Sequence, residues 1–209
     1  MGAYCFQHVI MKYILTLFAA LLYQPVSAQL TQKTEIETFT KNIFSVKEFR
    51  QIADSLQLSI GELSDYPVIS PVKCPVVSSS FGMRLHPIYK MRKFHTGIDF
   101  AKAKGTSVYA TGNGIVSRKG YCSGYGNFIE IKHAGGFRSF YAHLSRTLVN
   151  VGDSVNITQQ IACVGNTGVS TGSHLHYEIR KEDYFLNPAG WCYLLYELKI
   201  QTTKHDGIN

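Results

Sequence analysis

From Val76 to Arg180 the chain never shows the 3.6-residue apolar period that an amphipathic helix requires. Short runs of alternating apolar and polar residues take its place. "TSVYAT" and "GIVSRKG" flank Gly112 and Gly114, and "NFIEIKH" ends at Ala134-Gly135-Gly136. "FRSFYAHL" resumes the alternation, and "IACVG" and "HLHYEIR" follow. Alternation with period two marks strands, and a Gly-Gly pair between two such runs marks a hairpin. With no helix to cross over between parallel strands, these runs predict an antiparallel β domain rather than an α/β one. An aromatic content of 12%, mostly Tyr and Phe, agrees with that reading.

The flanks read differently. Residues 1–28 have the form of a secretory leader: Lys12, an apolar run over 13–23, then small residues ending at Val26 and Ala28. The run is far shorter than the roughly 20 residues of a membrane helix, so no stable span is expected. Met11 is an alternative start ahead of the same run. The chain is therefore expected to be exported, to the periplasm or outside, with cleavage near Ala28. Removing Lys12 with the leader lowers the net charge from +7 by one. That balance suits an anionic surface such as a cell wall. The basic residues form no run and no aromatic stacking motif accompanies them, so nucleic acid is not an expected partner. Cys74, Cys122, Cys163 and Cys192 remain, an even number without CxxC spacing. Disulfides and free thiols both stay open.

Residues 29–43 are polar and read as a loose lead-in. In "FSVKEFRQIADSLQL" Ser45 and Glu48 form a capping box, and Phe44 and Phe49 occupy the staple positions. Phe49, Ile52, Ala53 and Leu56 make an apolar stripe, which predicts a helix over 46–56. Pro67, Pro71 and Pro75 then oppose a helix and predict an extended strap into the main domain. The expected organisation is a leader over 1–28, helix and strap over 29–75, the main domain over 76–192 and a tail over 193–209. In "NPAGWCYLLYELKI", which runs from the main domain into the tail, Trp191, Leu194 and Leu195 are expected to pack through a closing strand or a short helix.

Three histidine clusters carry the chemistry. "FHTGIDF" places His95 and Asp99 four apart, with Gly97 leaving room for close approach; "FYAHLS" holds His143; "HLH" sets His174 and His176 on one strand face. A catalytic zinc takes neutral imidazoles and a carboxylate and leaves one position open. A further base must then handle the proton of the attacking water. Five residues of the right types stand in three β segments. A surface polar pair and a rim histidine would also account for each cluster alone.

The motifs "SSFGMRLHP", "FHTGIDF", "GTSVYATGNGIV", "GYGNFIEIKH", "FYAHLS" and "GNTGVSTGSHLHYEIR" occur in that order over 79–180. This half of the chain closely resembles the M23 family of zinc metallopeptidases, the lysostaphin and LytM type. The resemblance implies a mainly β, split-barrel-like domain with an open groove, to which this chain adds its N-terminal helix. It implies one Zn2+ per chain held by His95, Asp99 and His176, with His143 and His174 flanking the attacking water. Tyr89, six residues before His95, matches a tyrosine that lines the site in some members. The implied activity is cleavage of peptide cross-links in bacterial peptidoglycan. The alternative is a non-catalytic wall-binding scaffold of the kind that arises when the ligands are lost.

Overall fold

The computed structural model describes residues 43–198, with Ile36 and Thr40 besides. The chain divides into two units, Met1–Asn42 and Ile43–Asn209, and the architecture below is that of the second. The expected leader, nearly all of the polar lead-in and the last eleven residues lie outside the described residues.

Helix α1, Val46–Ser55, begins where the sequence places it. Ser45 is extended and its Oγ accepts from the Glu48 amide, while Glu48 Oε2 accepts from the Ser45 amide. Two otherwise orphaned donors are satisfied in this way. Phe49 and Ala53 are buried. The Phe49 ring lies 4.8 Å from Tyr66 and 5.2 Å from Trp191. Phe44 turns instead to Tyr184, 5.2 Å away. A second, one-turn helix α2, Ile60–Leu63, has its own Ser59–Glu62 capping box. The sequence reading passed over that signal because four residues carry no apolar period.

The strap forms neither helix nor strand beyond α2, bends repeatedly over 69–74 with Cys74 at φ 46°, and is part of the core. Tyr66, Val68 and Val72 are buried. Val68 donates to the Thr111 carbonyl, and the Pro71 carbonyl accepts from Tyr109.

Twelve strands follow among the described residues: β1 Val77–Ser79, β2 Gly82–Leu85, β3 Arg92–His95, β4 Ile98–Ala101, β5 Ser107–Tyr109, β6 Gly114–Cys122, β7 Gly126–Lys132, β8 Phe137–Thr147, β9 Ser154–Val155, β10 Gln160–Val164, β11 His174–Lys181 and β12 Tyr184–Leu186. Ten of them form one antiparallel sheet whose main path runs β1-β4-β11-β8-β7-β6-β9, and it closes into no barrel. β2 and β3 make a separate hairpin. The expected Gly-Gly hairpin joins β7 to β8, with Gly135 and Gly136 at φ 61° and 76°.

Pairing register sorts the side chains into two faces. Tyr177 of β11 lies between Ile98 and Tyr141, and Ile129 and Ile131 pair with Tyr141 and Ser139. This far face is closed by Phe49, Tyr66, Phe137 and Trp191. The C-terminal segment that supplies Trp191 is helical, a 3-10 turn over Trp191–Tyr193 that continues as helix to residue 198. Leu194 and Leu195 are buried there. His176 of β11 lies between Asp99 and Ala142 on the near face. All four described cysteines are free thiols, Cys74 and Cys122 exposed, Cys163 and Cys192 buried.

One group beneath the far face titrates in the acid range. His133, just after β7, directs both ring nitrogens at protein partners. Its Nδ1 donates to the Asn113 carbonyl at 2.7 Å, and its Nε2 lies 2.7 Å from Ser139 Oγ. Burial pushes its pKa down to about 4, against the opposing pull of that carbonyl and of Asp65. The unfolded chain therefore binds the extra proton first. Stability is held above pH 6.5 and is lost as pH falls towards 4, by roughly 2–3 kcal/mol. Denaturant titrations between those limits should show this slope in the wild type, and His133→Gln should flatten it.

Candidate metal centre

The near face gathers the histidines that the sequence singled out. His95 ends β3, Asp99 lies in β4 and His176 in β11; β4 and β11 are paired in the sheet, and the short turn after His95 carries the end of the separate hairpin to them. The β3–β4 turn approaches β11 closely at Gly97, where a Cβ would lie 2.2 Å from the Tyr177 carbonyl oxygen. Only glycine fits.

His95 Nε2 is 3.1 Å from Asp99 Oδ1 and 3.0 Å from His176 Nδ1, and His176 Nδ1 is 2.8 Å from Asp99 Oδ1. A tetrahedral zinc with ligands at about 2.0–2.1 Å sets neighbouring donors about 3.3 Å apart, so the triangle is of the right size. The outer nitrogens are pinned. His95 Nδ1 donates to the Ser80 carbonyl at 2.8 Å, and His176 Nε2 donates to Glu178 Oε1 at 2.9 Å. Each ring therefore turns its inner nitrogen to the centre, where the carboxylate is the third donor; at His176 a bound cation would take the place of the proton that the two carboxylates hold there. Two imidazole lone pairs and a carboxylate facing one point form a donor set that fits a divalent cation. All three residues are buried.

The electrostatics agree. Burial alone would raise Asp99, but its bonds to His176 and His95 hold it far below the ordinary carboxylate range. Burial alone would lower His176, but its bonds to Asp99 and Glu178 raise it to about 9. The two carboxylates draw positive charge into the space between them.

His143 and His174 stand beside this triangle, their ring centroids 4.6 Å apart. His174 Nδ1 donates to the Gly172 carbonyl at 2.8 Å and its Nε2 lies 3.8 Å from Asp99 Oδ1. His143 Nδ1 donates to the Thr167 carbonyl at 2.7 Å. Burial pushes His143 down to about 4, so the ring is neutral near pH 7. Strict alternation from Tyr141 would have sent His143 to the far face. A bulge in β8 reverses this: the β7–β8 register shifts and His143 adopts φ 58°. A left-handed non-glycine residue at a bulge is a re-aimed side chain, bought at a backbone cost of about 1–3 kcal/mol.

Residues outside the sequence reading complete the site. Glu178 is fully buried and also accepts from Tyr125 Oη at 2.9 Å, from Thr96 Oγ1 and from Arg180 Nε at 2.6 Å. Burial opposes its charge, but His176 and Arg180 hold its pKa down at about 2. It is therefore an anion that orients His176. The signal was present, since Glu178 lies two residues beyond His176 on the same strand face. Tyr89 lines the same cavity of about 700 Å³, exposed, with Lys93 Nζ 4.0 Å from its ring centroid. Residues 43–75 do not line that cavity.

Residues 93–188 match the model of peptidase family M23. The chain belongs to that family. Among M23 relatives it is 45% identical over 121 residues to the DD-carboxypeptidase/endopeptidase Mpg of Neisseria meningitidis, covering 58% of this chain but 28% of Mpg. It thus spans little more than a quarter of that relative's length. A zinc-containing peptidase from Vibrio cholerae superposes with a TM-score of 0.54 at 35% identity, over 56% of this chain and 37% of that one. The catalytic domain of the prophage-encoded M23 protein EnpA from Enterococcus faecalis superposes with a TM-score of 0.51 at 35% identity, over 57% of this chain and 95% of that one.

Proposed function

We propose that this chain is an exported zinc metalloendopeptidase that cleaves peptide cross-links of bacterial peptidoglycan. The observation that carries the reading is the convergence of His95 Nε2, Asp99 Oδ1 and His176 Nδ1 on one point, with their outer atoms held by Ser80 and Glu178. These three residues would hold the zinc. When bound, zinc supplies Lewis acidity towards the scissile carbonyl and activates the attacking water. His174 and His143, each with Nδ1 engaged by a carbonyl, keep Nε2 free to accept the water proton and return it to the leaving amine. The groove along the open near face accepts an extended peptide. Among the described residues no helix is long and apolar enough to cross a membrane. A scaffold that has lost its metal needs none of these matched tautomers, which weighs against that alternative.

The test is zinc content together with release of fragments from purified peptidoglycan, measured on one sample. One zinc per chain with new amine termini supports the reading. Neither zinc nor turnover after zinc is added back would move the chain to the scaffold class. Glu178→Gln should weaken zinc affinity by about 10–100-fold, because the imidazole keeps a partner but loses its anion. A chelator competition measures this directly, and unchanged affinity would remove Glu178 from the centre's support.

A further inference from the structure

The β2–β3 hairpin forms one wall of the cavity and poses a charge problem. Arg84 and Lys93 are direct cross-strand partners, and both line the cavity. Like charges placed opposite one another in an antiparallel pair are destabilising. No acid resolves the conflict, because Asp99 is the only acidic residue lining the cavity among the described residues. Its Oδ1 is already engaged by His95 and His176. Arg84 reaches Asp99 Oδ2 only at 3.5 Å. Arg84 Nε is buried and has no hydrogen-bond partner. A guanidinium with a buried, unsatisfied donor beside a second cation calls for a planar anion, and bidentate carboxylate recognition is what that fork is shaped for.

Resting on the peptidase reading above, we propose that Arg84, assisted by Lys93, binds a free carboxylate on the substrate, borne by the carbon that carries the leaving amine. The position argues for that carbon. Arg84 touches the carboxylate whose other oxygen faces the metal centre, so its ligand lies next to the scissile bond. On the acyl side the α-carboxyl is the scissile carbonyl itself, and any free carboxylate there sits further out on a side chain. On the amine side an α-carboxylate is as close to the bond as a carboxylate can be. The preferred substrates are then peptides ending in a free amino acid, and cross-links to a diamino acid that keeps its carboxylate beside the linked amine.

The test uses the zinc-loaded chain and two probes, diacetyl-Lys-D-Ala-D-Ala and its C-terminal carboxamide. The acid should be cleaved with a kcat/KM at least tenfold above the amide. Arg84→Gln should bring that ratio close to one, Lys93→Gln should lower it in part, and Arg84→Lys should retain part of it. Zinc content is measured on each variant, so that loss of the metal is not mistaken for loss of the subsite. Independently of turnover, the two leaving groups D-alanine and D-alaninamide are titrated against the wild type and followed at the Arg84 Nε–H resonance. D-alanine alone should shift it. Equal cleavage of both probes with equal shifts overturns the subsite and leaves the peptidase standing. No cleavage of either probe and no fragments from peptidoglycan, with the D-alanine shift retained, overturns the peptidase reading and leaves the subsite. An equal loss on both probes in Arg84→Gln assigns Arg84 to holding Asp99 and also overturns the subsite.

Discussion

His176→Ala should empty the metal centre and abolish turnover, whereas His174→Ala should keep the zinc and lose activity by about 10²–10⁴-fold. The two imidazoles are two residues apart on one strand and chemically alike, His176 buried and His174 partly exposed. What separates them is which nitrogen faces the site and where it points. His176 presents Nδ1 to Asp99 at 2.8 Å, inside the triangle. His174 presents Nε2 to the same oxygen at 3.8 Å, outside it. Metal analysis on both purified variants, alongside peptidoglycan digestion, gives the comparison. If both retain a full complement of zinc, the ligand assignment is wrong. If both lose it, His174 belongs to the ligand set.

Phe49→Ala and Trp191→Ala should each destabilise the domain by roughly 3–5 kcal/mol. For a domain of this size that is a fall in Tm on the order of 10 °C. The two rings meet at 5.2 Å and close the far face together with Tyr66 and Phe137. Each truncation leaves a cavity beside the large rings of Tyr66 and Phe137, which are buried and cannot shift far to fill it. Neither variant should raise turnover at temperatures where it is folded, because α1 and the strap line none of the metal-centre cavity. An unchanged melting temperature in Phe49→Ala would make α1 an accessory. Increased activity would make it a restraint on the site.

The elements read from the sequence are those whose local chemistry is self-sufficient. The capping box of α1, the alternation of β7, β8 and β11 and the Gly-Gly turn each need only their own residues. Helix α2 escaped because one turn has no periodicity to detect. His174 and His176 were legible because positions two apart in a strand share a face, whereas His95 and Asp99 meet across the turn between β3 and β4 rather than along one strand. His143 could be named through resemblance but not placed by alternation. The bulge that turns it inwards is set by contacts with β7 and with the Tyr125 carbonyl, 2.8 Å from the His143 amide. Arg84 was hidden for a similar reason: only the register with Lys93 shows that two cations face each other without an acid between them.

The strap also bears on where such a catalytic module can be cut. The family match starts at residue 93, inside β3, while the hydrophobic interior reaches back to Ile43. What is shared by descent and what melts as one piece thus have different borders. A fragment begun at the first border would lose the Ser80 carbonyl that fixes the His95 tautomer, and would leave Trp191 and Phe137 facing water. Chimaeras that exchange catalytic modules between this chain and its relatives should be joined upstream of Ile43, whatever the alignment suggests.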